Sequence, residues 1–161
     1  MTDNSTSIPE MTRISDREYE MVRVFDAPRA LVYEAYTKPE HIQNWWGPRS
    51  TTTRVEESDV RPGGRWRYVQ ITPDGAEYAF FGEYREVVPP EKLVSTFEFE
   101  GMPGHVVVDS ITFTEENGKT TLTARSAFTT AEEMEGFLAT GAISGANETY
   151  DRLAELLVTL R

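Results

Sequence analysis

The chain has 161 residues, 39% of them hydrophobic, which is enough to bury a core as one domain. Its 16 basic and 27 acidic residues give a formal net charge of −11 with no Lys/Arg run, so nucleic acid and anionic membrane surfaces are poor partners. It contains no cysteine and two histidines far apart in sequence, His41 and His105; disulfides, thiolate chemistry and a histidine metal cluster are excluded, and neither metal nor cofactor is expected.

The first 16 residues are polar, with one proline and no apolar period, and read as a flexible tail; residues 17–161 read as a single domain. Arg17 to Phe25 is strand-like, with Tyr19, Met21 and Phe25 on one face and Val22 and Val24 on the other. Asp26-Ala27-Pro28 opens a short helix, Pro28 to Tyr36, in which proline is tolerated because a first-turn N–H has no partner to lose. Thr37-Lys38-Pro39-Glu40 has the spacing of a capping box for a second short helix carrying Ile42, Trp45 and Trp46, ended by Gly47-Pro48.

From Ser50 to Phe128 the pattern is nearly all strand: Thr51–Ser58, Arg65–Ile71, Tyr78–Val88, Leu93–Glu100, His105–Thr114 and Thr120–Phe128. Pro/Gly/Asn/Asp clusters separate the runs, and connections this short imply antiparallel pairing. Gly82 reads as a bulge where the sheet curls. The total is about seven strands, possibly six, with no internal repeat.

Thr130 to Arg161 is the one long helical signal, with apolar or small residues at helical spacing. Thr130 and Glu133 have capping-box spacing, Glu132, Glu133 and Glu135 suit the positive end of the dipole, and Arg152 and Arg161 lie toward the other end. Gly136, Gly141 and Gly145 each cost roughly 1 kcal/mol against alanine in a helix interior, so that either something offsets the cost or the helix bends there. With Ala142 and Ala146 they leave one face of the first half nearly bald. Either the backbone packs closely on the sheet there, or the bald segment roofs a ligand cavity.

An antiparallel sheet with its helices on one face is an α+β layer architecture. The alternation that faces the helices reads Trp66, Tyr68, Gln70; Leu93, Ser95, Phe97, Phe99; Val107, Asp109, Ile111, Phe113; and Leu122, Ala124, Ser126, Phe128. Arg65, Arg67, Glu98, Glu100, Thr121, Thr123 and Arg125 face solvent. A mostly apolar concavity with sparse polar groups describes a small-molecule pocket.

The segments Val24-Phe25-Asp26-Ala27-Pro28, Tyr36-Thr37-Lys38-Pro39-Glu40, Trp45-Trp46-Gly47-Pro48, Arg61-Pro62-Gly63-Gly64-Arg65-Trp66, Gly82-Glu83-Tyr84 and Tyr150-Asp151-Arg152-Leu153 occur in this order. They resemble the activator-of-Hsp90-ATPase-homologue-like group of the START/Bet v 1-like (SRPBCC) superfamily, over nearly all of the chain beyond the tail. The resemblance implies a helix-grip fold: a curved antiparallel sheet around a long C-terminal helix, with a cavity between them. Its members share a pocket and differ in chemistry, so fold supports ligand binding as a class. Related sequences commonly place Trp or Met after the glycine that is Gly145 here. Ala146 at that position predicts a roomier pocket, or compensation by Trp66 or Phe97.

Three functions are weighed. Cytoplasmic binding of a hydrophobic molecule (lipid, aromatic or polyketide-like) is favoured, without stable membrane insertion. Its expected ligand-binding residues are Trp46, Trp66, Tyr68, Gln70, Ser95, Phe97, Phe99, Val107, Asp109, Ile111, Ser126, Phe137, Gly141, Ala142, Gly145 and Ala146. A cyclase- or hydrolase-type enzyme would use His105 and Asp109, four apart on one strand face, as an acid/base pair, although His105 beside Gly104 also suits a solvated rim. A role beside an Hsp90-type chaperone in a stress response rests on the family resemblance. Exposed aromatics leave a homodimer open.

Overall fold

A computed structural model describes residues 10–160. The strands are β1 (Glu10–Arg13), β2 (Glu18–Phe25), β3 (Thr52–Ser58), β4 (Arg65–Ile71), β5 (Glu77–Val88), β6 (Lys92–Phe99), β7 (Val107–Glu116) and β8 (Lys119–Ala127). The helices are α1 (Arg29–Thr37), α2 (Pro39–Trp45), α3 (Ala131–Leu138) and α4 (Ala142–Leu160). One antiparallel sheet runs in the order β1-β2-β8-β7-β6-β5-β4-β3. The expected α+β architecture with a late long helix is present, and it differs in two places.

The sheet has eight strands, because β1 lies within the stretch read as tail and pairs with β2, Met11 opposite Met21. Its residues are mostly polar, which an edge strand tolerates. The first nine residues of the expected tail lie outside the described residues. The second difference is that the last helical signal is two helices. Gly141 takes φ +84° between them, a left-handed conformation that L residues with a Cβ adopt at a cost. Nothing lies within 4 Å of where a Cβ would stand at Gly141 or Gly136, so close packing is not what those glycines serve. Gly141→Ala is therefore expected to lower stability by about 1 kcal/mol through backbone strain alone, measurable as a shift in the denaturation midpoint.

Gly82 corrects another expectation. Its pairing with Trp66 is regular, and the irregularity of β5 falls between Tyr84 and Glu86. What demands glycine is proximity: a Cβ there would stand 1.9 Å from the Thr96 carbonyl oxygen and 2.7 Å from Trp66 Nε1.

The caps also differ in part. Thr37 does not cap α2; its hydroxyl donates to Tyr33 O within α1 (2.8 Å), and Lys38 is the N-cap with no side-chain bond. Thr130 Oγ1 does accept from Glu133 N (3.1 Å), while the Glu133 carboxylate reaches His105 rather than turning back. The first N–H of α1, on Arg29, donates to Glu115 Oε1 at 2.7 Å. Arg152 does not serve the end of its own helix. It donates to the carbonyls of Gly47 (2.8 Å), Pro48 (3.0 Å) and Asn44 (3.1 Å), just where α2 presents unpaired acceptors. Arg161 lies outside the described residues.

The core fills the space between the inner sheet face and the helices. Phe25, Phe113 and Leu122 from strands meet Val32, Ile42, Trp45, Met134 and Leu153 from helices. On the outer face Arg67 pairs with Glu100 (2.6 Å) and Glu56, and Arg65 is exposed, as the alternation predicts.

Candidate functional site

Five residues face each other across five neighbouring strands. The register sets Tyr19 (β2) opposite Ser126 (β8), Ser126 opposite Asp109 (β7), Asp109 opposite Ser95 (β6), and Ser95 opposite Tyr84 (β5). Directly opposed residues share a face, so a polar row crosses a sheet surface otherwise made of rings and aliphatic groups. Above the middle of this row, under α1 and α2, lies a partly open cavity of about 80 Å³. Seven of its twelve lining residues are aromatic, which makes rings its main surface: Tyr36, Trp45, Trp46, Trp66, Tyr68, Tyr84 and Phe97, with Ile42, Leu93, Ser95, Asp109 and Ile111.

Two of the rings are held in place by hydrogen bonds to the backbone. Trp45 Nε1 donates to Ala35 O (2.9 Å) and Trp66 Nε1 to Thr96 O (3.2 Å), so both indoles are satisfied and fixed. Trp45 is 2% exposed and belongs to the core, whereas Trp46 is partly buried and meets Tyr68 and Phe80 edge-on at 5.2 and 5.4 Å.

Asp109 is the charged group of the cavity. Ser126 Oγ donates to its Oδ1 at 2.6 Å, and this is the one hydrogen bond to the carboxylate among the described residues. Burial pushes its pKa up to about 6 against the opposing pull of the Ser126 hydroxyl. Tyr19, two strands away on β2, is pushed up to about 12, chiefly by burial, with the Asp109 charge adding to it. Tyr36 from α1 and Tyr150 from α4 are raised further, again first by burial, and feel each other and the Asp109 charge. Tyr68 and Tyr84 are raised by burial as well and interact through their hydroxyls. All of these phenols are neutral at pH 7, so none gives the carboxylate a counter-charge.

The expected acid/base pair does not form. β7 begins at Val107, and His105 precedes it on an exposed loop with 51% of its side chain accessible; its Nδ1 lies 3.2 Å from Glu133 Oε2. Asp109 instead belongs to the serine and tyrosines just named. Among the described residues no group of three or more His, Cys, Asp or Glu is placed to hold a metal ion.

Of the expected ligand-binding residues, Trp46, Trp66, Tyr68, Ser95, Phe97, Asp109 and Ile111 line the cavity. Ser126 stands behind it as the Asp109 donor. Phe99 stacks on Phe80 at 5.1 Å, and Phe137 packs on Phe128 at 5.3 Å and Phe97 at 6.5 Å. Val107 is buried in the core, and Gln70 lies against Gly47, where its Nε2 would be 2.7 Å from an added Cβ. Gly141 is exposed, and Ala142, Gly145 and Ala146 are partly buried without lining the cavity, so the bald helix segment is not its roof. Trp66 and Phe97 stand in its wall, away from Ala146, which does not reach it. Tyr36, Ile42, Trp45, Tyr84 and Leu93 are lining residues outside the expected set. Parity along β6 already turned Leu93 inward, and the helical faces of α1 and α2 carried the signals for Tyr36, Ile42 and Trp45.

The family model described as activator of Hsp90 ATPase homolog 1-like protein matches residues 26–158. The chain belongs to that family. Among solved structures, protein Ms6760 from Mycobacterium smegmatis is 28% identical, with 92% of this chain and 97% of that one covered and a TM-score of 0.81. A solution structure from Arthrobacter aurescens is 21% identical at TM-score 0.88, covering 95% and 93% of the two chains. The AHSA1 protein from Silicibacter pomeroyi is 18% identical at TM-score 0.75, covering 89% and 99%. The last two likenesses show the fold alone. A search of curated proteins finds no match. Among the described residues of this family member, no helix is long and apolar enough to cross a membrane.

Proposed function

We propose that this member of the family binds a compact hydrophobic small molecule in the cavity between the inner sheet face and the α1–α2 pair. The observation that carries the reading is the cavity wall itself, in which rings fixed by hydrogen bonds surround a short polar row. Apolar walls supply affinity through area removed from water, and a few placed polar groups supply orientation. A volume of about 80 Å³ favours a small ring or a short chain over a long acyl chain, unless most of the molecule lies outside.

The chain reports on its own occupancy. It has three tryptophans, and Trp45, Trp46 and Trp66 all line the cavity. Titrating a panel of aromatic, terpenoid and short-chain compounds against intrinsic fluorescence is expected to give saturable changes for compact aromatic members. Ser95→Met, which extends a flexible side chain into the cavity, is expected to abolish them while circular dichroism stays unchanged. Equal responses from wild type and Ser95→Met, or none from the whole panel, would overturn the reading.

A further inference from the structure

The cavity carries a charge that the protein leaves unanswered. Ser126 satisfies Asp109 Oδ1, and no described residue donates to the second carboxylate oxygen. No lysine, arginine or histidine lines the cavity. The buried cation behind Tyr150, Arg23, is paired with Asp151 at 2.7 Å. Asp109 is only partly buried, and its second oxygen is an open acceptor on the cavity wall, placed to take a donor or a cation that enters among the rings.

The rings beside it are suited to the same guest. Trp66 and Tyr68 have centroids 4.7 Å apart, and Trp46 stands edge-on to Tyr68 at 5.2 Å, so ring faces and edges converge on the space in front of Asp109. Aromatic faces attract an ammonium group through their quadrupoles, and a carboxylate takes its N–H in a charge-assisted hydrogen bond. Resting on the small-molecule reading above, we propose that the ligand is a small organic amine, whose protonated nitrogen donates to Asp109 while its hydrocarbon part lies against Trp46, Trp66 and Tyr68. An anionic ligand of the same shape is rejected by like charge.

Benzylamine, benzyl alcohol and benzoate share one ring and differ in the charge of the attached group. They would be titrated at pH 7.5 into wild type and Asp109→Asn, by tryptophan fluorescence and calorimetry, with each variant's melting curve recorded. In wild type, benzylamine is expected to bind at least tenfold tighter than benzyl alcohol, with no saturable response to benzoate. In Asp109→Asn that tenfold preference is expected to vanish, and in Ser95→Met none of the three should bind. Should Asp109→Asn fail to fold, the wild-type ranking decides the matter. Benzyl alcohol or benzoate binding as well as the amine, an amine preference that survives Asp109→Asn, or no saturation by benzylamine would each overturn the proposal. If benzylamine fails while other apolar compounds saturate the fluorescence, the amine class falls and the cavity reading stands. If no compound acts, both fall.

Discussion

Asp109→Asn is expected to make the protein more stable at pH 8 by about 2 kcal/mol, and less stable at pH 3.5 by about 1 kcal/mol, the cost of its unpartnered amide. Burial raises the folded-state pKa of Asp109 to about 6 from an ordinary value of 3.8, so folding favours the protonated form. The contribution of this group is intact below pH 3.8. It falls as the unfolded chain ionises first, and is fully lost once pH has risen through about 6. A shift of this size corresponds to about 3 kcal/mol. Asparagine keeps an oxygen to accept from Ser126 but introduces an amide NH2 that needs a partner, which reduces the net gain to about 2 kcal/mol. The groups facing Asp109 are Ser95 and Ser126 on neighbouring strands, Tyr19 one strand further on β2, and the hydroxyls of Tyr36 and Tyr150 from the helices. The phenols stay neutral across this range, so the pH dependence belongs to the carboxylate. Urea unfolding of both proteins between pH 3.5 and 8 checks it. A destabilisation by asparagine that is the same at every pH would mean the carboxylate is fully satisfied where it stands. A residue that lowers stability at working pH marks a site kept for something other than folding.

The second large effect concerns Arg23, on the inner face of β2. Its side chain is 6% accessible, Nη2 bonds Asp151 Oδ1 at 2.7 Å, and its guanidinium carbon lies 5.7 Å from the Phe25 ring centre. Nε and Nη1 have no hydrogen-bond partner, so Asp151 is the main answer to a buried charge. Asp151, by contrast, is half exposed and is solvated by water if left alone. Removing the two partners is therefore unequal. Asp151→Ala strands a cation in the core and is expected to cost about 3 kcal/mol. Arg23→Met replaces that cation with a flexible apolar chain and is expected to cost under about 1 kcal/mol. The double variant should resemble Arg23→Met alone, a coupling of about 2 to 3 kcal/mol in a double-mutant cycle by chemical denaturation. Additive effects from the two single changes would show that Arg23 is compensated elsewhere.

Much of the sheet was legible because turns and alternation are local properties. Arg65–Ile71 is bounded as expected, and the other central strands shift by one or two residues. β1 was not legible, since a polar edge strand bonded on one side needs no apolar period. The break in the C-terminal helix was signalled by its glycines, but which one takes a positive φ is set by how α3 and α4 are held. Arg13 bonds Glu135 of α3 at 2.5 Å, and Arg152 ties α4 to the Gly47 loop.

For the site, strand parity placed Trp66, Tyr68, Ser95, Phe97, Asp109 and Ile111 correctly on the inner face. Tyr84 escaped because Gly82 was taken for the bulge, which leaves the parity of β5 undefined beyond it. Asp109 and His105 share parity, yet the strand starts after His105, and a loop residue is free of the alternation. The alignment of Tyr19, Ser126, Asp109, Ser95 and Tyr84 depends on inter-strand register, which no single strand encodes.

The most direct test of the central claim is an amide NMR titration of the isotope-labelled protein with the panel compound that changes tryptophan fluorescence most. The cavity reading predicts saturable shifts gathered at Trp46, Tyr84, Ser95, Phe97, Asp109 and Ile111. Shifts gathered instead at Arg65, Arg67, Phe81 and Glu100, which line a groove on the outer sheet face, would contradict it.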